Sequence, residues 1–290
     1  MASYRIYNAR LASLRSMRRV TKTMKMVSAT KLRRAQAAEE RATRFSGRMG
    51  DVAGHVLALP EARAHEFVLP RAPVRNGLLI VLSADKGLCG GFNANLVRFA
   101  AQWIEEQRAR FHKLRAAFCG RRALAALRDR VEVRNVYDGV AARPDFRAAL
   151  RIGRDVTDAF AARQYDEVHL AYNRFHSAMS QEPVIERLLP VPLDTAAAPA
   201  APGPRAEHLF EPEAPRLIEL FLRQLVCLRL HSALLQNAAG EHGARMTAMD
   251  SATSNVDNLT LRYTKLRNQA RQSSITGELI EIISGAEALK

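Results

Sequence analysis

Met249, Ala252, Val256, Leu259, Tyr263, Leu266, Ala270 and Ser273 follow one another at alternating intervals of three and four residues. That is the a/d spacing of a coiled-coil seam, which keeps successive knobs on one side of a helix. No proline follows Pro215, so the spacing predicts one helix from about there to near the C-terminus. The fifty residues from Glu241 to Lys290 make a rod of roughly 75 Å at about 1.5 Å per residue. Near the other end, Met17, Val20, Met24 and Val27 repeat the same spacing. Two terminal helices with matching seams predict an antiparallel pair. Met17, Val20, Met24 and Val27 would meet the series that includes Met249, Val256, Leu259, Tyr263 and Leu266.

Between the ends the pattern becomes one of short apolar runs and intervening helices. "GLLIVLS" (77–83), "KLRAAFCG" (113–120) and "DEVHLAYN" (166–173) predict strands, with helices over 93–107 and 148–164. Strands alternating with helices predict a Rossmann-like α/β domain with a mostly parallel sheet. "DTAAAPAAPGPRAE" reads as a flexible Ala/Pro linker. The expected organisation is an N-terminal coiled-coil helix over 1–60, the α/β domain over 77–193, the linker over 194–207 and a C-terminal coiled-coil helix over 208–290. The α/β domain is thus inserted into a long antiparallel helical hairpin.

Charge changes the picture at the N-terminal helix. The formal net charge is +15, and residues 1–38 hold ten Lys or Arg and no acid. Such a field favours nucleic acid, anionic lipid or an acidic protein surface. Aromatic residues make up only 6% of the chain, few for base stacking. A membrane-surface helix would carry Trp, Phe and Leu on its apolar face, where this one has Met and Val. Acidic protein loops fit best. No apolar run is long enough to span a bilayer. The Arg-rich, acid-free start is similar to a transit peptide, but it keeps the heptad pattern and reads as mature protein.

Candidate chemistry is sparse. "LSADKGLCGG" follows a strand and precedes a helix, where phosphate loops occur, yet Lys86 precedes the glycines and neither phosphate-loop spacing is met. A tight packing turn is the better reading. Cys89, Cys119 and Cys227 form no CxxC pair, and read as buried thiols in a reducing compartment. The eight histidines show no metal-ligand spacing. Glu278 and Glu281 sit three apart on a helix and read as a solvated or partner-facing edge. No catalytic, cofactor or metal site is expected.

The termini resemble a known family. "RVTKTMKMVSATKLRRAQ", "EHGARMTAMDSATSN" and "ARQSSITGELIEIISGAEAL" are similar to the N- and C-terminal signatures of the gamma subunit of F-type ATP synthases. "LSADKGLCGGFNANL", "YNRFHSAMSQEPVIERLLP" and "LFEPEAPRLIE" resemble further family segments. The likeness is weakest over 105–164 and in the Ala/Pro linker. The family commonly places an aromatic, an Asn and a basic residue before Ala-Arg-Gln. Here those positions are Arg267, Asn268 and Gln269, with an aromatic at Tyr263. The cysteine-pair insertion of chloroplast members is absent.

The resemblance implies a non-catalytic rotor shaft, one copy per complex. Its partners would be the alpha and beta subunits of the hexamer, the epsilon subunit and the membrane c-subunit ring. It would couple proton or sodium flow to ATP synthesis as a peripheral protein on the cytoplasmic face of the bacterial inner membrane. The acidic lever loops of the beta subunits would be the negative partner of the basic helix. By the same resemblance, Met24 and Lys25 would be coupling residues, close to the helix bearing Arg245, Gln272, Thr276 and Glu278. Two other classes stay open on residues alone: a basic protein that binds nucleic acid or membrane, and a nucleotide-using enzyme built on the α/β domain.

Overall fold

The computed structural model describes residues 2–57, 59–192 and 213–288. The linker expected over 194–207 lies outside the described residues, as does the start expected for the last helix at 208. Helix α1 runs Ala2–Leu57 and a short α2 Pro60–Arg63. The α/β part follows as β1 (Asn76–Leu82), α3 (Phe92–Gln107), β2 (Lys113–Cys119), α4 (Arg121–Leu127), β3 (Glu132–Val136), α5 (Phe146–Ala161), β4 (Glu167–Phe175) and β5 (Gln181–Leu189). Helix α6 then runs Ala214–Ala288. The chain divides into two compact units, Met1–Ser28 with Arg245–Lys290, and Ala29–Ala244.

In the second unit the strand order is β3-β2-β1-β4-β5. Strands β1 to β4 are parallel to their neighbours and β5 is antiparallel to β4. The run Leu78–Leu82 is solvent-free, as a central parallel strand covered on both faces must be. Its side chains alternate. Leu78, Ile80 and Leu82 join the core with α5 and the first part of α6, while Leu79 and Val81 pack under α3 and α4. Asp145 caps α5 by accepting a hydrogen bond from the Ala148 amide at 2.7 Å.

Strand β5 was not among the predicted strands, because "QEPVIERLL" is interrupted by a proline and three charges. An edge strand tolerates both, since half of its ladder faces solvent. Strand β3, the opposite edge, is short and largely exposed and gave no apolar run to read.

Glu167 opens β4 and is only 5% exposed. Its carboxylate accepts from Arg110 Nη2 at 2.5 Å and lies 2.9 Å from His169 Nε2. Burial by itself raises its pKa, but the His169 hydrogen bond and the Arg110 charge outweigh that and leave it below the usual range. A lowered folded pKa means the stabilisation is complete above the ordinary value near about 4.3 and lost as pH falls through the folded value. Glu167→Gln should therefore flatten the acid limb of stability below about pH 5. Urea midpoints followed by Trp103, whose ring lies tilted with its centroid 4.8 Å from that of His169, will read this. An unchanged acid slope would contradict the assignment.

Candidate functional site

Helices α1 and α6 run antiparallel in the first unit. Arg18 Nε lies 2.5 Å from Asp257 Oδ1, and Lys25 Nζ 2.5 Å from Asp250 Oδ1. Between them Thr253 Oγ1 donates to Thr21 Oγ1 at 2.8 Å. Nearer the start of α1, the rings of Tyr7 and Tyr263 sit 6.2 Å apart, with the Arg10 guanidinium 6.0 Å from the Tyr263 ring. As the α1 number rises, the partner number on α6 falls.

The seam of α1 is Leu11, Leu14, Arg18, Thr21, Lys25 and Ser28. Leu11, Leu14, Thr21 and Ser28 are buried, and these six positions also alternate three and four. On α6, Met249 and Val256 are buried, with Thr253, Thr260 and Tyr263 half-buried between and beyond them. The predicted register is therefore corrected by one residue. Met17, Val20 and Val27 are 50%, 54% and 50% exposed, and Leu259 is 40% exposed. Met24 and Leu266 are half-buried. One residue is about 100° around a helix, so the apolar stripe of α1 points away from the seam. The reason is chemical. Arg18 and Lys25 lay their aliphatic stems in the seam and carry their charges out to aspartates, so a search for apolar knobs passes over them.

Three faces result on α1. One packs on α6. A second is apolar and open, formed by Ile6, Met17, Val20 and Val27. A third carries exposed Arg15, Arg19 and Lys22 at helical i, i+4, i+7 spacing. Asp257 hydrogen-bonds Arg18 and adds its charge, which raises the Arg18 pKa further. Both seam ion pairs are about half exposed, so water screens them and each adds little to stability.

The coupling residues inferred from family resemblance do not form one cluster. Lys25 is held by Asp250, Met24 stands beside it, and Arg245 is 9% exposed. Gln272, Thr276 and Glu278 are exposed, and Glu278 accepts from Ser274 Oγ at 3.1 Å. Gln272 lies twenty-two residues beyond Asp250 on α6, about 33 Å at helical rise. Met24 thus stands close to the helix that bears all four, at the level of Asp250 and away from Gln272. Around it Ile275, Leu279, Ile280, Ile282 and Ile283 are all more than half exposed, an apolar surface of the kind that marks an interaction site.

Among its described residues the second unit provides no comparable chemistry. In open α/β sheets ligands bind where the strand order reverses, here between the C-terminal ends of β1 and β4. That crevice is filled by α6 itself. A methyl on Gly240 would lie 2.9 Å from the Phe92 ring, and one on Gly243 2.9 Å from the Ala178 Cα. In the β1–α3 turn Asn93 accepts from the Ala84 amide at 3.0 Å and donates to Cys89 Sγ at 3.1 Å. Cys89 is 1% exposed, and burial pushes the Cys119 thiol up to about 12. Among the described residues no three His, Cys, Asp or Glu side chains converge as a metal site, and no helix is long and apolar enough to cross a membrane. The purified chain should not bind ATP in the micromolar range. Calorimetric titration checks this, and stoichiometric tight binding would contradict it.

The chain is similar to known proteins along its whole length. The sequence model for "ATP synthase" matches residues 3–289. The ATP synthase gamma chain of Geobacter metallireducens is 38% identical over 291 residues, covering 100% of both chains. That of Anaeromyxobacter sp. Fw109-5 is 39% identical over 296 residues, again covering 100% of both. Among solved structures, a chain of the Tetrahymena thermophila mitochondrial ATP synthase central stalk and c-ring matches at 25% identity with a TM-score of 0.59, covering 80% of this chain and 99% of that one. A chain of the Euglena gracilis mitochondrial OSCP/F1/c-ring assembly has the same fold at 21% identity and a TM-score of 0.67, covering 99% and 95%. With alignments that run from end to end, this chain belongs to the family of ATP synthase gamma chains.

Proposed function

We propose that the chain is the central shaft of a rotary ATP synthase, turning within a hexamer of alpha and beta subunits while its foot rides with the epsilon subunit and the membrane ring of c subunits. The observation that carries this is the two-helix rod, which turns both an apolar and a cationic face of α1 outward. An antiparallel coil transmits torque because its packed seam makes both helices turn together. The chain supplies shape and charge, and the nucleotide chemistry belongs to the beta subunits. Proton or sodium flow turns the ring, and the turning face of the shaft takes each beta site through binding, synthesis and release.

Coupling is assigned to two places along the rod. Met24, Lys25 and Arg245 form one, and Gln272, Thr276 and Glu278 the other. Arg15, Arg19 and Lys22 flank the first and meet acidic lever loops through exposed pairs of about 0–1 kcal/mol each, weak enough to form and break at every step. The working place is the cytoplasmic face of a bacterial inner membrane, reached through the complex.

A tagged copy of the chain, purified from its own cells after mild solubilisation, tests the reading. It should bring down alpha, beta, epsilon and c subunits in a complex that pumps ions when given ATP. Recovery of the chain on DNA, or as a free ATP-binding protein, would overturn it.

A further inference from the structure

Beyond the shaft, one groove in the second unit stands out. It runs between α3 and α4 on the face of the sheet away from α5, with a volume of about 680 Å³. Its floor is apolar, built from Val97, Ala101 and Leu127, and Arg98, Arg122 and Arg130 stand along it. The one carboxylate lining it, Glu105, is already taken by Arg108 at 3.0 Å. Arg98 donates only to the neutral Asn95 side chain, at 2.7 Å. Among the described residues, Arg98, Arg122 and Arg130 therefore line an apolar trough with no carboxylate within ion-pair distance.

The shape sets the class of ligand. Lining residues extend along α3 from Asn93 to Glu105, about 18 Å at helical rise. A phosphate or a free carboxylate would fill only one end of that length. A helix laid in it would present apolar residues to the floor at i, i+4 and i+7 and acids to the arginines on its flanks. Arginine suits this role, since its planar fork takes carboxylates in pairs while its stem lies on apolar surface.

We propose that the α3–α4 groove is a docking site for an acidic amphipathic helix of a partner polypeptide. The site is independent of the shaft reading: it lies in the other compact unit and uses none of the seam or coupling residues.

The test uses the full-length chain and a fluorescein-labelled peptide of roughly four helical turns, with leucines along one line and glutamates on both flanks. A scrambled peptide of the same composition and inorganic triphosphate are the other two probes. Fluorescence anisotropy should show the amphipathic peptide binding at least about tenfold more tightly than the scrambled one, a difference of about 1.4 kcal/mol. Arg98→Glu with Arg130→Glu should weaken it by about tenfold or more, and Ala101→Gln should weaken it without any change of charge. Arg147→Glu with Arg151→Glu, exposed on α5 across the sheet, alters net charge equally and should change binding less than about twofold, as salt-screened charges off the site do. Equal losses from both pairs of reversals, or equal binding of the scrambled peptide, would mean general attraction to a basic protein and overturn the proposal. Triphosphate that displaces the peptide fully and binds Ala101→Gln as well as the unaltered chain would make this a small-anion site instead, which also overturns it. Trp103 fluorescence confirms that each variant is folded, and because the assay needs no assembled complex, its failure leaves the co-purification result untouched.

Discussion

Gly120→Ala is expected to lower the stability of the sheet unit by about 4 kcal/mol, the sum of a backbone term of about 1–3 and a packing term of about 1–3. Gly120 joins β2 to α4 with φ +105°, a conformation that L side chains rarely adopt, and a methyl there would lie 2.2 Å from the Ser83 carbonyl oxygen. That oxygen belongs to backbone fixed on both sides. The Ser83 amide donates to the Cys119 carbonyl at 2.7 Å, and the Ser83 hydroxyl accepts from the Ala123 amide at 3.0 Å. The end of β1 would have to move away from β2. Gly139→Ala is the control. Gly139 also has positive φ, but nothing lies within 4 Å of its added methyl, so only the conformational cost of about 1 kcal/mol applies. Urea midpoints read at Trp103 should separate the two substitutions clearly. Equal midpoints would contradict the steric account.

Met24→Lys is expected to leave assembly and ATP hydrolysis largely intact while ion pumping per ATP falls several-fold. The seam at this level is made by Thr21, Lys25, Ser28 and Met249, and Met24 stands on the neighbouring face with Met17, Val20 and Val27. A lysine there costs little in hairpin packing. It does put a charge on the apolar face, one position from the coupling residue Lys25, where a passing acidic lever can pair with it. A partly desolvated pair with a lever carboxylate exceeds the roughly 0–1 kcal/mol of an exposed one and must break at every step. Gln272→Arg or Glu278→Lys, about 33 Å or more along α6, can restore pumping only through the surrounding subunits. Membrane vesicles in which hydrolysis and pumping are recorded together decide this. Undiminished pumping per ATP would contradict it.

The terminal helices and the first strands were readable because their signals are local. An unbroken proline-free stretch gives α6, and Leu78–Leu82 gives a buried strand whatever surrounds it. What escaped was set by tertiary context. The seam holds Arg18 and Lys25, whose pairing with Asp257 and Asp250 cannot be seen from either helix alone, so the more apolar neighbouring line, Met17 to Val27, was read in its place. The only acids of α6 between Arg245 and Gly277 are these two aspartates, a spacing of seven that matches Arg18 and Lys25 and could have given the register. Strand β5 escaped because its identity depends on β4 beside it. The filling of the sheet crevice by α6 rests on Gly240 and Gly243, which carry no side chain to read. The coupling positions came from family resemblance, and their separation into two places became visible only with the register.

Rotation of this chain inside the hexamer is the central claim, and it can be observed. With the alpha/beta hexamer of the assembled complex fixed to a surface and a gold rod attached through a cysteine at exposed Ala109, single complexes can be followed during ATP hydrolysis. The account predicts that the rod turns in one direction in regular steps, at a rate that tracks hydrolysis. Hydrolysis at the normal rate with a rod that only fluctuates about one position would contradict it.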